Sequence, residues 1–351
     1  MNAQIPGPSP LVQDAWYVAA LRRDVSQTPI ARTILGQSVV LYRTSSGQAV
    51  ALPNRCSHRG YPLSQGTVRD DVLECGYHGF TFDCDGVCVA VPGQGAIPSK
   101  ANLGRAFPLV ERGPFTWVWM GAEGAADPGA VPLADRLEDP GWTFVDGEVE
   151  LRCHYGLLID NLLDLSHETF VHAATIGSPE VAQAPITTEV DAATHVVHVS
   201  RRMEGVQCPP FFERFTGLRT PIDRGQDIEY HAPGLYLLHV TLVSAADGGQ
   251  QGADDRTYRI RVYYAITPAH DATTNYFFGM ARDFGEDDPE LSELFDKSQH
   301  ELIAEDARAL EILQTSIDEQ GWPSEVSIKI DTGGLAARRQ LAAMSGGGSH
   351  D

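Results

Sequence analysis

Two short segments each place a thiolate beside an imidazole: Cys56-Ser57-His58 and Cys75-Gly76-Tyr77-His78, with sixteen residues between His58 and Cys75. Two thiolates can hold one iron of a [2Fe–2S] cluster while two imidazoles hold the other. Neutral imidazole donates less charge than thiolate, so such a cluster has a raised potential and suits electron relay. Gly60, Gly76 and Gly79 lie in or beside the same segments. They let the backbone turn tightly and bring N–H groups toward sulfur. Tetrahedral zinc accepts the same ligands, so a structural zinc site is the competing reading. Cys84, Cys88, Cys153 and Cys208 complete the six cysteines. They read as ordinary thiols, because the four-ligand set is already full.

A second constellation runs from Asp160 to His172, Asp-Asn-Leu-Leu-Asp-Leu-Ser-His-Glu-Thr-Phe-Val-His. A non-haem iron that activates O₂ commonly uses two histidines and one carboxylate on one face and leaves the other face open. His167 and His172 are the histidine candidates. On a regular helix, residues five apart point about 140° away from each other. Both reach one metal only if the helix bends, bulges or ends before His172. Asp164 is one turn before His167 and can take a hydrogen bond from a ligand ring or couple electrons to the metal. Asn161, a turn earlier, can approach the metal or support a histidine. The third ligand must come from elsewhere. Asp296, Glu301, Glu305 and Asp306 on a late helical segment all qualify, and spacing alone does not choose among them.

The remaining residues must build the elements that hold these groups. Short apolar stretches punctuated by turn residues fill the first third. They include Trp16 to Ala20, Arg32 to Tyr42, Gln48 to Leu52 after a turn at Thr44–Gly47, and Phe115 to Met120. This spacing predicts a small antiparallel β domain. Ala122 to Pro132 reads as a linker. Beyond it, helical spacing over Leu157–Phe170 and Pro289–Gln314 combines with alternating stretches at Thr194–Ser200, Leu235–Val243 and Tyr258–Ile266. The predicted class is α+β, with an N-terminal all-β domain over 1–145, a catalytic domain with an antiparallel sheet flanked by helices over 146–344, and a flexible tail over 345–351.

The chain has 351 residues and a net charge of −21. An acidic surface repels nucleic acid and anionic membranes. No apolar run is long enough to span a bilayer, and Met1–Gln13 lacks the halves of a signal peptide. The expected location is the cytoplasm, where cysteines beside histidines point to metal rather than disulfides.

Together these segments resemble the oxygenase components of Rieske non-haem iron enzymes, most of all the aromatic O-demethylases of the vanillate O-demethylase type. The likeness extends to Trp16-Tyr17-Val18-Ala19, Pro92-Gly93-Gln94, Trp117-Val118-Trp119, Ile176-Gly177, Gly279-Met280-Ala281-Arg282 and Glu305-Asp306. The resemblance implies a [2Fe–2S] cluster on Cys56, His58, Cys75 and His78, and Fe(II) on His167, His172 and Asp306. It implies Asp164 as a bridge between centres, within a head-to-tail homotrimer where one subunit's cluster serves its neighbour's iron. It also implies a separate NAD(P)H-dependent reductase, since no Gly-x-Gly-x-x-Gly follows a strand here, and O₂ as co-substrate. The implied reaction is O-demethylation of a small methoxylated aromatic acid with release of formaldehyde. Aromatic methyl hydroxylation and ring dihydroxylation are the alternatives. A non-catalytic electron carrier would leave Asp160–His172 and the second half unexplained. His231, His239 and Arg261 are candidates for a substrate pocket.

Overall fold

A computed structural model of the chain describes residues 8–132, 135–219, 221–245 and 257–346. The tail expected over 345–351 lies outside these residues from position 347 onward. Two compact units emerge. One comprises Gln13–Leu133 and Thr267–His270. The other comprises the described residues of Met1–Val12, Ala134–Ile266 and Asp271–Asp351.

The first unit is all-β apart from short 3₁₀ turns. It contains β1 (Ala15–Leu21), β2 (Ile30–Ile34), β3 (Gln37–Arg43), β4 (Ala49–Pro53), β5 (Thr67–Arg69), β6 (Val72–Glu74), β7 (Thr81–Phe82), β8 (Cys88–Ala90), β9 (Leu109–Arg112) and β10 (Phe115–Met120). They form three antiparallel sheets ordered β1-β10-β9, β2-β3-β4 and β5-β6-β7-β8. Arg32 to Tyr42, expected as one strand, is two. Leu35 and Gly36 take φ of 49° and 74° and turn the chain into a hairpin. Apolar Ile34 and Leu35 hid that turn. Val40, Tyr42, Leu52, Leu63, Leu73 and Phe82 form the core beneath the two Cys-His loops.

The second unit is built on a seven-stranded sheet ordered β11-β17-β16-β15-β14-β13-β12. Its strands are β11 (Thr143–Leu151), β12 (Ile186–Asp191), β13 (Val196–Val206), β14 (Ile222–His231), β15 (Leu235–Ser244), β16 (Thr257–His270) and β17 (Thr273–Arg282). Five helices join it: α1 (Tyr155–Leu163), α2 (Pro179–Gln183), α3 (Pro210–Thr216), α4 (Pro289–Gln320) and α5 (Thr332–Met344). Sheet residues Val240, Leu242, Ile260 and Val262 pack with Phe211 and Phe215 of α3 and Phe295 and Leu302 of α4. No described helix is long and apolar enough to cross a membrane.

The helix predicted over 157–170 ends at Leu163. Asp164 leaves the helical region, with φ −113° and ψ 91°, and its carboxylate accepts the Ser166 N–H at the start of a 3₁₀ turn, Leu165–Thr169. A short polar side chain that binds its own backbone breaks a helix in this way. The late helix runs six residues beyond Gln314, to Gln320.

Candidate active site

The two Cys-His loops repeat one backbone design. Cys56 N–H donates to the Tyr61 carbonyl at 2.9 Å and Gly60 N–H to the Cys56 carbonyl at 2.8 Å. In the second loop, Cys75 N–H donates to Phe80 at 2.8 Å and Gly79 N–H to Cys75 at 3.0 Å. Gly60 and Gly79 close the loops with φ of 73° and 72°, a region costly for any side chain. Cys56 and Cys75 are buried, whereas His58 and His78 are exposed. The thiols are neighbours, and backbone N–H groups of His58 and Arg59 point at the Cys56 sulfur; burial, with Cys75 alongside, pushes that thiol up. The two imidazoles meet edge to face at 4.6 Å, and His58 stacks on Phe80 at 4.7 Å. Two inner sulfurs and two outer imidazoles, with two N–H groups aimed at the Cys56 sulfur, fit a two-iron cluster with mixed ligands.

The second centre lies wholly in the other unit. Ligand atoms of His167, His172 and Asp306 all lie within 4.8 Å of one another. His167 sits in the 3₁₀ turn after α1, and His172 in the turn that follows. The carbonyl of His167 accepts the N–H groups of Phe170 and Val171, and that of His172 accepts those of Thr175 and Gly177. These stacked turns resolve the five-residue spacing. They also require Gly177, where a Cβ would lie 2.1 Å from the Glu168 carbonyl oxygen.

The hydrogen bonds fix how each imidazole presents itself. His167 Nδ1 lies 2.6 Å from the Asp164 carbonyl oxygen. A carbonyl only accepts, so Nδ1 carries a proton, and Nε2 faces Asp306, 3.5 Å away. His172 Nδ1 is 2.7 Å from Glu305, and its Nε2 is 3.1 Å from the same Asp306 oxygen. Thr175 Oγ1 donates to Glu305 at 3.1 Å, and Asn161 Nδ2 donates to Asp306 at 3.1 Å. Two nitrogens and a carboxylate converging on one point suit a cation. Burial opposes a charge on His172, but Asp306 and Glu305 outweigh it and push the ring up to about 9. A metal ion displaces such a proton on binding.

Asp164 serves His167 through its backbone carbonyl, while its carboxylate caps the next turn. Asn161 touches the carboxylate of the triad rather than a histidine. Glu305 and Thr175 were not read as supports, although the Glu305-Asp306 pair carried the signal. Glu168, beside His167, is 2 % exposed. It pairs with Arg224 at 2.8 Å and accepts Gln226 Nε2 at 2.8 Å.

Other candidates lie in different surroundings. His231 pairs with Glu229 at 3.4 Å. Arg261 binds Asp139 at 2.7 Å and stacks over Trp142. His239 faces Arg261 across β15 and β16. All six cysteines are free thiols.

Known proteins show the same two parts. Residues 15–101 match the Rieske [2Fe-2S] domain, and residues 151–345 match the vanillate O-demethylase oxygenase C-terminal domain. The vanillate O-demethylase oxygenase subunit of Pseudomonas sp. (strain HR199 / DSM 7063) is 36% identical over 334 residues, covering 94% of this chain and 93% of that one. The crystal structure of dicamba monooxygenase bound to 3,6 dichlorosalicylic acid superposes with a TM-score of 0.87 at 31% identity, covering 95% of this chain and 97% of the other. Another structure of that enzyme, with non-heme iron and dicamba, matches with a TM-score of 0.79 at 30% identity, over 96% and 98% of the two chains. Cluster loops, a two-histidine-one-carboxylate centre and these likenesses agree: the chain belongs to the Rieske non-haem iron oxygenases, as the oxygenase component of a multi-component enzyme whose cofactors are a [2Fe–2S] cluster and a mononuclear iron.

Proposed function

We propose that this chain O-demethylates a small methoxylated aromatic acid of the vanillate kind, with Cys56, Cys75, His58 and His78 holding the cluster and His167, His172 and Asp306 the iron. The convergence of the three donors, with both imidazoles held through Nδ1, carries this reading. When bound, the two metal centres supply electron relay and O₂ activation. The chain's residues do the rest. Asp164 and Glu305 set the ring tautomers, Thr175 orients Glu305, and Asn161 holds Asp306 by one oxygen. Asp164, half-buried at the end of α1, joins the iron site to a neighbouring subunit's cluster in a homotrimer.

The balance needs O₂, two electrons and two protons for each methoxyl. One oxygen atom enters the methyl C–H bond and the other leaves as water. The resulting hemiacetal breaks its C–O bond, giving a phenol and formaldehyde. The electrons come from NAD(P)H through a separate reductase. The same reading places the protein in the cytoplasm, where Cys84, Cys88, Cys153 and Cys208, none in a disulfide, stay reduced.

The test is metal counting and EPR on anaerobically purified protein, followed by turnover of methoxybenzoates with a reductase. A reduced Rieske signal, iron beyond the cluster's own, and formaldehyde matching phenol support the proposal. A product that retains every substrate carbon assigns methyl hydroxylation or ring dihydroxylation instead. Protein lacking the extra iron overturns the assignment of the triad.

A further inference from the structure

The last turn of α1 and its cap carry two supports of the proposed iron ligands. Asn161 donates to Asp306 at 3.1 Å, and the Asp164 carbonyl orients His167. Asp164 N–H in turn donates to the Asp160 carbonyl at 3.1 Å, so Asp160 closes that turn. Asp160, Asn161, Asp164 and His167 all line a recess of about 430 Å³. Part of the turn therefore faces open space instead of packed side chains, and its polar contacts have more of the holding to do.

Arg338 of α5, which lines the same recess, holds the turn. Its Nε lies 3.1 Å from each Asp160 oxygen, and its Nη2 also donates to Asp160. The other edge of the guanidinium binds Glu325, in the segment joining α4 to α5, with Nη2 at 2.9 Å. Arg338 thus bridges two carboxylates with one planar fork, which the single ammonium of a lysine cannot reproduce. Burial pushes the Asp160 carboxyl up to about 6 against the pull of Arg338, and Glu325 and Asp331 add to the rise. The seat of α5 is fixed as well. Gly334 lies one helical turn before Arg338, and a Cβ there would be 2.9 Å from Asp160 Oδ1. A Cβ at Gly333 would be 2.8 Å from Val199 Cγ2 and 3.2 Å from the Leu163 carbonyl oxygen. Two glycines let α5 lie close against α1, within reach of Asp160.

We propose that Arg338 is a positioning residue for the mononuclear iron: it fixes the last turn of α1 through Asp160, and that turn presents Asp306 through Asn161 and His167 through Asp164. Arg338 touches none of the three donors itself. The inference rests on the proposed ligand assignment and names the residue that keeps their supports in place. Without the guanidinium, Asp160 still lines the recess, where it can meet water or take up a proton. The loss should therefore register in the geometry of the turn more than in global unfolding.

The test uses the full chain with its Rieske cluster in place, stripped of mononuclear iron and titrated with Fe(II) against a competing chelator. Co(II) added in place of Fe(II) reports ligand geometry through its visible absorption bands. Outer partners of metal ligands typically account for ten- to a hundredfold in affinity. Arg338 acts one residue further out, so Arg338→Met should weaken Fe(II) about tenfold and shift the Co(II) bands, with the reduced Rieske signal unchanged. Arg338→Lys should recover part of the loss. Glu325→Gln leaves the contacts to Asp160 and should bind Fe(II) as the native protein does. Native affinity with unshifted bands in Arg338→Met overturns the inference. An equal loss in Glu325→Gln overturns it too, because the effect then lies in the segment joining α4 to α5. If Arg338→Met fails to fold, judged by circular dichroism, Arg338→Lys and Glu325→Gln decide: weakened Fe(II) in the first alone supports the inference, and any other result overturns it. Native protein that takes up no Fe(II) beyond the cluster's iron rejects the ligand assignment itself. Native protein that binds Fe(II) no more tightly than Arg338→Met rejects only the role of Arg338.

Discussion

His154 gives the scaffold around the iron site a defined sensitivity to acid. It caps α1, with Nδ1 accepting the Gly156 N–H at 3.0 Å. Its backbone N–H donates to Gln314 of α4 at 2.8 Å. It therefore ties the helix carrying Asn161 to the helix carrying Asp306. Burial holds the ring down to about 4, against a smaller opposing pull from Asp271. The unfolded chain titrates at about 6.5, so as pH falls the unfolded state takes up the proton first. The contribution is fully present above about pH 6.5 and is lost as pH drops toward the folded value. At pH 5 the loss is about 2 kcal/mol, and over the whole window about 3 kcal/mol. His154→Asn keeps a side chain suited to capping and removes the titration. Urea midpoints of both proteins, followed between pH 7 and 5 by tryptophan fluorescence, provide the assay. Trp322 meets the His154 ring edge to face at 5.6 Å and is a local reporter. The substituted protein should be less stable at pH 7, where a smaller side chain leaves space, but should lose less between pH 7 and 5. Parallel pH profiles would refute the reasoning.

Other outcomes follow from the iron centre. Asp306→Asn should lose the mononuclear iron while the cluster stays, seen as a lower iron count with an unchanged reduced Rieske signal. Asp164→Asn keeps the backbone carbonyl that orients His167 and an oxygen to cap Ser166, so both metals should remain; rapid mixing should show slowed electron delivery to the iron. Arg224→Ala leaves Glu168 buried without its cation, and chemical denaturation should show a loss of about 3–5 kcal/mol. Gly177→Ala forces a methyl group onto the Glu168 carbonyl, and iron content should fall even where the protein remains folded.

The two Cys-His loops were legible because their chemistry is local: each proposed ligand pair sits within one tight turn, and each loop closes on its own glycine. The proposed iron ligands were legible as residue types but not as a geometry. Spacing showed that a plain helix could not serve His167 and His172, yet not that Asp164 would end it. Asp306 could be separated from Asp296, Glu301 and Glu305 only by family resemblance, because a helix presents acidic residues to solvent and to a metal in the same pattern. Two of the missed strands lacked the expected pattern for physical reasons. The inward positions of β14 are Arg224, Gln226, Ile228 and Tyr230, and β17 is buried on both faces, so neither strand shows the apolar alternation that marks a half-exposed strand.

That failure of pattern reading is informative in itself. A strand whose inward face carries arginine and glutamine gives up apolar burial that would have stabilised the sheet. Part of the cost is recovered in the Glu168 pair, which braces the turn next to His167. Such a pair is seldom better for stability than apolar residues of equal size, so stability alone does not explain the arrangement. Positioning His167 accounts for Glu168, Arg224 and Gln226, each of which is engaged. It does not account for Arg201, whose Nε and Nη1 remain without partners, as do Arg224 Nε and Gln226 Oε1 beside it.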